Sequence, residues 1–217
     1  MLEFYFDFVS PYSYMAWTQL AALGVRVDRE VEPVPVLFAG ILGALGTKGP
    51  AEVPARRAYL AKDVMRAAHR AGITIIPPPA HPFNPLLALR IAVLPLEKEV
   101  RVHIIDALYA AAWGGGDGID TPERIAAALK AAGIDAAPLL ERATNAEAKD
   151  RLRHNTESAL ARGAFGVPTL FMDGEMFFGF DSFSALEACA RGEDPVARQP
   201  DMLARWRDLP VAARRIP

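Results

Sequence analysis

Signals for β-strand occur only near the two ends of this 217-residue chain, and the long stretch between them reads as helix. Leu2, Phe4, Phe6 and Phe8 alternate with Glu3, Tyr5 and Asp7, a period of two that predicts a strand. Phe8 to Ser13 reads as a turn, with Pro11 suited to the first turn of a helix. Tyr14 to Leu23 reads as that helix, ending at Gly24. The valine-rich run Val25 to Leu37 predicts a second strand, cut short or held at a sheet edge by Pro33 and Pro35. A β-α-β opening implies a right-handed crossover and parallel strands. At the far end Thr169 to Met172 and Glu175 to Phe178 flank the hairpin signal Asp173-Gly174, and Asp181 to Arg191 reads as a closing helix. Between the ends, helical spacing covers Pro54–Ala71, Leu86–Val93, Glu97–Trp113, Pro122–Ala132 and Ala146–Arg162, with Ile76–Pro85 a proline-rich loop. Asp120-Thr121-Pro122-Glu123 is a helix start. The expected fold class is α/β: a thioredoxin-like domain built from residues 1–40 and 155–217, with a large all-helical insertion over 41–154.

Composition narrows the chemistry. Lys and Arg total 24 against 26 Asp and Glu, a net charge of −2, so no basic field exists to hold nucleic acid or an anionic membrane. With 52% hydrophobic and 23% charged residues, dominant disorder is excluded. The lone Cys189 excludes an intramolecular disulfide, a C-x-x-C couple and a cysteine-rich zinc site. His69, His81, His103 and His154 lack metal-ligand spacing, so no metal is expected. The N-terminus has no basic region of a signal peptide, and the longest nearly apolar stretch, Ile104–Trp113, is too short to span a bilayer, so a cytoplasmic protein is expected. Trp113 to Gly118 is Gly-rich without the Lys-Ser/Thr of a phosphate loop and reads as a flexible connection. Met172, Met176 and Cys189 read as core.

Two segments could carry chemistry. Ser10-Pro11-Tyr12-Ser13 sits where the first strand passes into the first helix, the place of C-x-x-C in thioredoxin-like folds. A helix N-terminus offers free N–H groups and positive dipole character, which favour a thiolate. A serine there cannot be oxidised, but its hydroxyl can donate to another molecule's thiolate; equally, Ser10 can simply cap the helix. The second segment is Gly166-Val167-Pro168-Thr169, opening a late strand. A cis Val167-Pro168 bond would present the Val167 backbone to a ligand, whereas a trans bond is the ordinary state of such a peptide.

Taken together, the two segments resemble the kappa-class glutathione transferases and their relatives, the 2-hydroxychromene-2-carboxylate isomerases. The motifs that carry the resemblance are Phe6-Asp7-Phe8-Val9-Ser10-Pro11-Tyr12-Ser13-Tyr14, Tyr59-Leu60-Ala61-Lys62-Asp63, Gly163-Ala164-Phe165-Gly166-Val167-Pro168-Thr169 and Gly174 through Asp181. The resemblance runs from Leu2 to about Cys189 and implies a thioredoxin fold of the DsbA and kappa type. It implies glutathione as cosubstrate, with Ser10 bonding its sulfur, the Val167 backbone ahead of a cis Pro168 pairing with its cysteinyl backbone, and Gly179, Phe180, Asp181 and Ser182 receiving its γ-glutamyl end. Asp181 also has the chemistry of a helix cap. Thr47 stands where relatives carry Asn, beside Lys48, and Asp181-Ser182-Phe183 stands where they read Asp-Arg-Leu. Phe83 and Asn84 are candidates to line a pocket for a flat aromatic substrate, with Phe83 alternatively a core anchor. Lys48 and Arg57 are candidates to pair with a substrate carboxylate.

The implied activity is a glutathione-dependent isomerisation of 2-hydroxychromene-2-carboxylate to trans-o-hydroxybenzylidenepyruvate, in the catabolism of aromatic compounds. In that chemistry a thiolate adds to the ring-opened conjugated system, the bond that was double rotates, and the thiolate leaves. The alternatives are a kappa-class transferase conjugating glutathione to electrophiles and, from another class, a redox-inactive thioredoxin-like protein that binds thiols or peptides. The expected partners are glutathione and a small aromatic molecule, with no nucleic acid and no membrane, and the reading leaves room for a homodimer.

Overall fold

Phe4 and Phe6 stack on one face of the first strand while Tyr5 points to the other, and helices cover both faces. The computed structural model describes residues 1–210; residues 211–217 of the expected C-terminal segment lie outside the described residues. Strands β1 (Leu2–Phe6), β2 (Val31–Pro35), β3 (Thr169–Met172) and β4 (Glu175–Phe178) form one sheet in the order β2-β1-β3-β4. β1 pairs parallel with β2 and antiparallel with β3, and β3 pairs antiparallel with β4. Helices α1 (Pro11–Arg26) and α2 (Phe38–Ala44) follow the first two strands. The middle holds α3 (Pro54–Ala71), α4 (Leu86–Ala92), α5 (Lys98–Trp113), α6 (Pro122–Ala131), α7 (Ala137–Ala143) and α8 (Ala146–Ala161). After the hairpin come α9 (Phe183–Ala190), α10 (Pro195–Arg198) and α11 (Pro200–Arg207).

The main core joins Leu2, Phe4, Phe6 and Phe8 to Leu20 and Leu23 of α1 and to Leu89, Ile91, Ile105, Leu108 and Tyr109 of the middle helices. A second cluster on the other sheet face packs Tyr5 and Phe171 against Ile41 of α2 and Ala159 of α8. The alternation in β1 therefore separates two buried faces rather than core from solvent, because crossover helices lie on both sides. Glu3, on the second face, is held by Arg162, whose guanidinium lies 3.7 Å above the Phe171 ring. α8 runs unbroken through positions 154 and 155, where the sequence suggested the insertion ends.

The β-α-β opening is present with shifted bounds. α1 continues through Gly24 to Arg26, and β2 begins only at Val31. Gly24 is a close-approach position rather than a terminator: a Cβ there would sit 2.8 Å from Val31 Cγ2 and 2.9 Å from the Arg29 carbonyl oxygen. The chain turns instead at Asp28, with φ of 51°. β2 is an edge strand, as its prolines require. It meets β1 through even-numbered groups, Leu2 N–H donating to Glu30 and Val36 N–H to Phe6. The outward Pro35 carbonyl accepts from Asn155 of α8. The helix α2 was not anticipated, since Gly40 and Gly43 lower its propensity. Residues 113–118 are an ordered turn: Ile76 N–H donates to the Trp113 carbonyl, and Ile76 bridges Gly114.

Gly24→Ala in an open helix would raise stability by about 0.5–1 kcal/mol. Here the methyl collides with backbone, and the variant is expected to lose about 1–3 kcal/mol in urea denaturation. A variant as stable as the parent or more stable would contradict the close approach.

Candidate functional site

The turn between β1 and α1 has its polar backbone groups fixed one by one. Asp7 closes it, its carbonyl accepting from Ser10 N–H at 3.1 Å and its Oδ1 accepting from Val9 N–H at 2.9 Å. The Phe8 carbonyl accepts from Trp113 Nε1 at 2.8 Å, and the Val9 carbonyl lies 3.0 Å from His81 Nε2. A carbonyl only accepts, so His81 carries its proton on Nε2. Burial holds the His81 pKa below its ordinary value, which keeps the ring neutral. Two helical-region side chains thus aim a turn that belongs to the sheet.

Ser10 emerges from this turn as the N-cap of α1, its Oγ accepting from Ser13 N–H at 3.2 Å, with Pro11 in the first turn. The Ser10 hydroxyl donates to the Val167 carbonyl at 3.5 Å, bridging 157 positions of sequence. An O–H···O bond is ordinarily near 2.7–2.8 Å, so this proton is loosely held and available to a better acceptor. The two segments singled out in the sequence therefore meet, at a Ser10 that also caps α1. The Val167-Pro168 bond is cis, as is His81-Pro82. The Pro168 carbonyl accepts from Gly179 N–H at 2.9 Å, which carries the Gly179–Ser182 segment alongside.

That segment is a 3-10 turn over Phe180–Ser182 packed on α1, with Phe180 against Phe183 and near Tyr12 and Met15. Gly179 has φ of 89° and ψ of 157°, a region open essentially to glycine alone. A Cβ there would also fall 2.5 Å from Asp181 Oδ1. Asp181 does not cap α9; Ser182 occupies that position, its own hydroxyl donating to the Gly179 carbonyl at 2.7 Å. The Asp181 carboxylate stays exposed and close enough to Tyr12 to raise the phenol's pKa.

Sequence reasoning missed the wall that faces this turn. Tyr12 donates to Asp63 Oδ2 at 2.6 Å, joining α1 to α3. Burial first, then this bond, pushes the Tyr12 hydroxyl far above its usual value, so it stays a neutral donor. Tyr12, Pro50, Ala55, Arg56, Tyr59 and Leu60 line a cleft of about 410 Å³. The signal was present: Tyr59 and Asp63 stand four apart on α3 and share a face. Arg56 lines the cleft, whereas its neighbour Arg57 lies on the His81 side and depresses the imidazole pKa. Thr47 and Lys48 lie in the exposed loop after α2, ahead of Pro50. Phe83 is half-buried near Trp113, and Asn84 is occupied in accepting from Leu86 N–H at the start of α4; neither lines this cleft. A second hollow, of about 860 Å³, follows another face of α1 past Trp17, Ala21 and Asp106 and does not reach Ser10. Cys189 lies in α9 with its thiol pKa raised by burial, which suits a packing role. Among the described residues no cluster of three or more His, Cys, Asp or Glu is arranged for a metal, and no helix is long and apolar enough to cross a membrane.

The arrangement offers a sulfur-sized acceptor a hydroxyl, helix N–H groups and a backbone edge at one end, and a carboxylate for a cation at the other. Known proteins resemble the chain over most of its length. Residues 1–189 match the DSBA-like thioredoxin domain family. The 2-hydroxychromene-2-carboxylate isomerase of Pseudomonas putida is 27% identical over 190 residues, spanning 87% of this chain and 93% of the relative. Human glutathione S-transferase kappa 1 is 29% identical over 199 residues, spanning 85% and 88%. A solved structure of a 2-hydroxychromene-2-carboxylate isomerase superposes with a TM-score of 0.79 at 26% identity, covering 93% of this chain and 98% of that one.

Gly179→Ala combines a forbidden backbone region with a contact at Asp181 and is expected to cost about 1–3 kcal/mol in chemical denaturation. Wild-type stability in that variant would mean the Pro168–Asp181 connection is not held as described.

Proposed function

The chain belongs to the DSBA-like thioredoxin domain family, and from that premise we propose that it is a glutathione-dependent isomerase of the 2-hydroxychromene-2-carboxylate type. The observation that carries the reading is a serine hydroxyl, in place of a redox thiol, at the N-terminus of α1 and within 3.5 Å of the Val167 carbonyl. A cap hydroxyl with a loosely held proton suits a thiolate and does nothing for disulfide exchange. The names of the Pseudomonas putida and human relatives support the same substrate classes.

Glutathione, when bound, supplies the thiolate that adds to the conjugated substrate and leaves again. The residues present fit it. Ser10 turns its O–H from Val167 toward the sulfur while its oxygen keeps accepting from Ser13 N–H, so the helix start is not disturbed. The Val167 backbone meets the tripeptide edge to edge, as in strand addition. Asp181 accepts from the γ-glutamyl ammonium, and Gly179, Phe180 and Ser182 shape the turn that presents it. Arg56, together with Lys48 and Arg57, supplies positive charge for carboxylates of tripeptide and substrate. Tyr12, Tyr59 and Leu60 offer apolar and ring surface to a flat aromatic substrate, and Thr47, in the loop that leads to Pro50, is a further candidate to reach the tripeptide. The same reading sets the protein in the cytoplasm, where glutathione is kept reduced.

The second reading, a kappa-class transferase, draws on the human relative and uses the same thiolate. The two separate by product. With 2-hydroxychromene-2-carboxylate and glutathione, the isomerase yields the trans benzylidenepyruvate and returns all glutathione; a stable thioether with glutathione consumed supports the transferase instead. Loss of one hydrogen bond to a charged sulfur is worth about 1.5–3 kcal/mol, so Ser10→Ala is expected to lower turnover roughly 10- to 100-fold. The fold should weaken by only about 1 kcal/mol, the cost of losing a cap. Full turnover in Ser10→Ala would defeat the assignment.

A further inference from the structure

Asp7 has no part in the reading above, yet it is fully buried between the Ser10 turn and the helical segment that leads to the cleft wall. Its Oδ1 accepts from Val9 N–H and its Oδ2 from Phe38 N–H, each at 2.9 Å. Val9 precedes Ser10. Phe38 is the first residue of α2, whose chain continues through Thr47 and Lys48 to Pro50, Ala55 and Arg56. Both oxygens are thus committed to backbone donors from opposite sides of the site. A carboxylate can serve two donors in this way; a protonated carboxyl keeps one good acceptor, and its hydroxyl must find an acceptor of its own. The buried Tyr109 Oη of α5 is close by, with Ser13 Oγ of α1 beside it, and neither makes a hydrogen bond of ordinary geometry.

We propose that Asp7 is a proton-operated positioning residue: charged, it clamps the Ser10 turn and the start of α2 in the binding geometry, and on protonation it releases one of the two. Burial supports this, pushing the Asp7 pKa up to about 7 against the pull of the two amides. The groups that face it are few. α2 and the turn present backbone N–H, and the neutral Ser13 of α1 lies beside Tyr109. α5 presents Tyr109, whose phenol is held protonated by burial and by the Asp7 charge. His81, on the Val9 carbonyl, is held neutral, and Arg57 lies beyond it. Among the described residues no cation pairs with Asp7 to hold it ionised. The sign follows. The folded pKa lies above the ordinary carboxyl value of 3.8, so folding favours the protonated form, and this contribution to stability is lost as pH rises through about 7. The clamp therefore forms at neutral pH and above at the expense of stability, and it lapses in acid.

The consequence for ligand binding rests on the glutathione reading; the structural part does not. In an NMR titration of the full chain from about pH 5 to about pH 9, the Asp7 carboxyl carbon is expected to titrate near 7, with the Val9 and Phe38 amides shifting at the same midpoint. An Asp7 carbon that titrates in the usual carboxylate range, or amides that ignore it, overturns the proposal. That measurement needs only the wild-type protein, so it stands even where Asp7→Asn does not fold. Calorimetry with S-methylglutathione, which has no thiol proton, reads the coupling to the site. Its affinity is expected to rise roughly fivefold from acid to alkaline pH, the equivalent of one ordinary hydrogen bond, and to stay flat at the weaker level in Asp7→Asn. A pH profile that survives Asp7→Asn overturns the coupling. No binding at any pH refutes the glutathione reading while leaving the amide titration to decide the role of Asp7.

Discussion

The structure depends on how the backbone from Phe8 to Ser10 is held. A helix N-terminus attracts anions only where its free N–H groups point, so the direction of α1 and the position of its cap decide what can bind. That direction is set by parts distant in sequence: Asp7 at the end of β1, His81 in the proline-rich loop and Trp113 at the end of α5 each take one backbone group of the turn. Trp113 and His81 also meet each other, with ring centroids 5.3 Å apart. The helical middle is therefore more than a lid over a thioredoxin-like sheet. It supplies two donors that fix the turn between β1 and α1, and one hydrophobic core runs through both.

Serine at the α1 cap changes the chemistry that such a corner can perform. A cysteine there would have its thiolate stabilised by the helix and would exchange disulfides. The Ser10 hydroxyl keeps the electrostatic advantage and gives up the redox step, which in the proposed function leaves a place for another molecule's sulfur. The single protein thiol is elsewhere, in α9, with its pKa raised rather than lowered. The weak Ser10–Val167 contact fits that reading: at 3.5 Å it orients the hydroxyl without satisfying it.

Much of this was legible in the sequence because it was local. The period of β1, the proline-bounded start of α3, the hairpin at Asp173-Gly174 and the cap at Thr121 each depend on residues within a few positions, and each lies where the pattern put it. Gly24 misled because a glycine near a helix end signals termination, and only the approach of Val31 and Arg29 reveals its other use. The site divides along the same line. Ser10, Val167 and the Gly179–Ser182 turn belong to short motifs and are brought together. Asp7, His81, Trp113, Tyr12 and Arg56 act through contacts across 31 to 105 positions or through a cleft wall, which no local pattern encodes. Asn84 shows the reverse: a polar residue in a promising loop is taken up by the start of α4.

The central claim is that the Ser10 cap stabilises a thiolate supplied by glutathione. The most direct measurement is a carbon-13 NMR titration of glutathione labelled at its cysteinyl β-carbon and bound to the protein. The account predicts a bound thiol that ionises well below the ordinary value of about 8.5 and moves back toward it in Ser10→Ala. A bound thiol that ionises at the ordinary value in the wild-type protein would contradict the account.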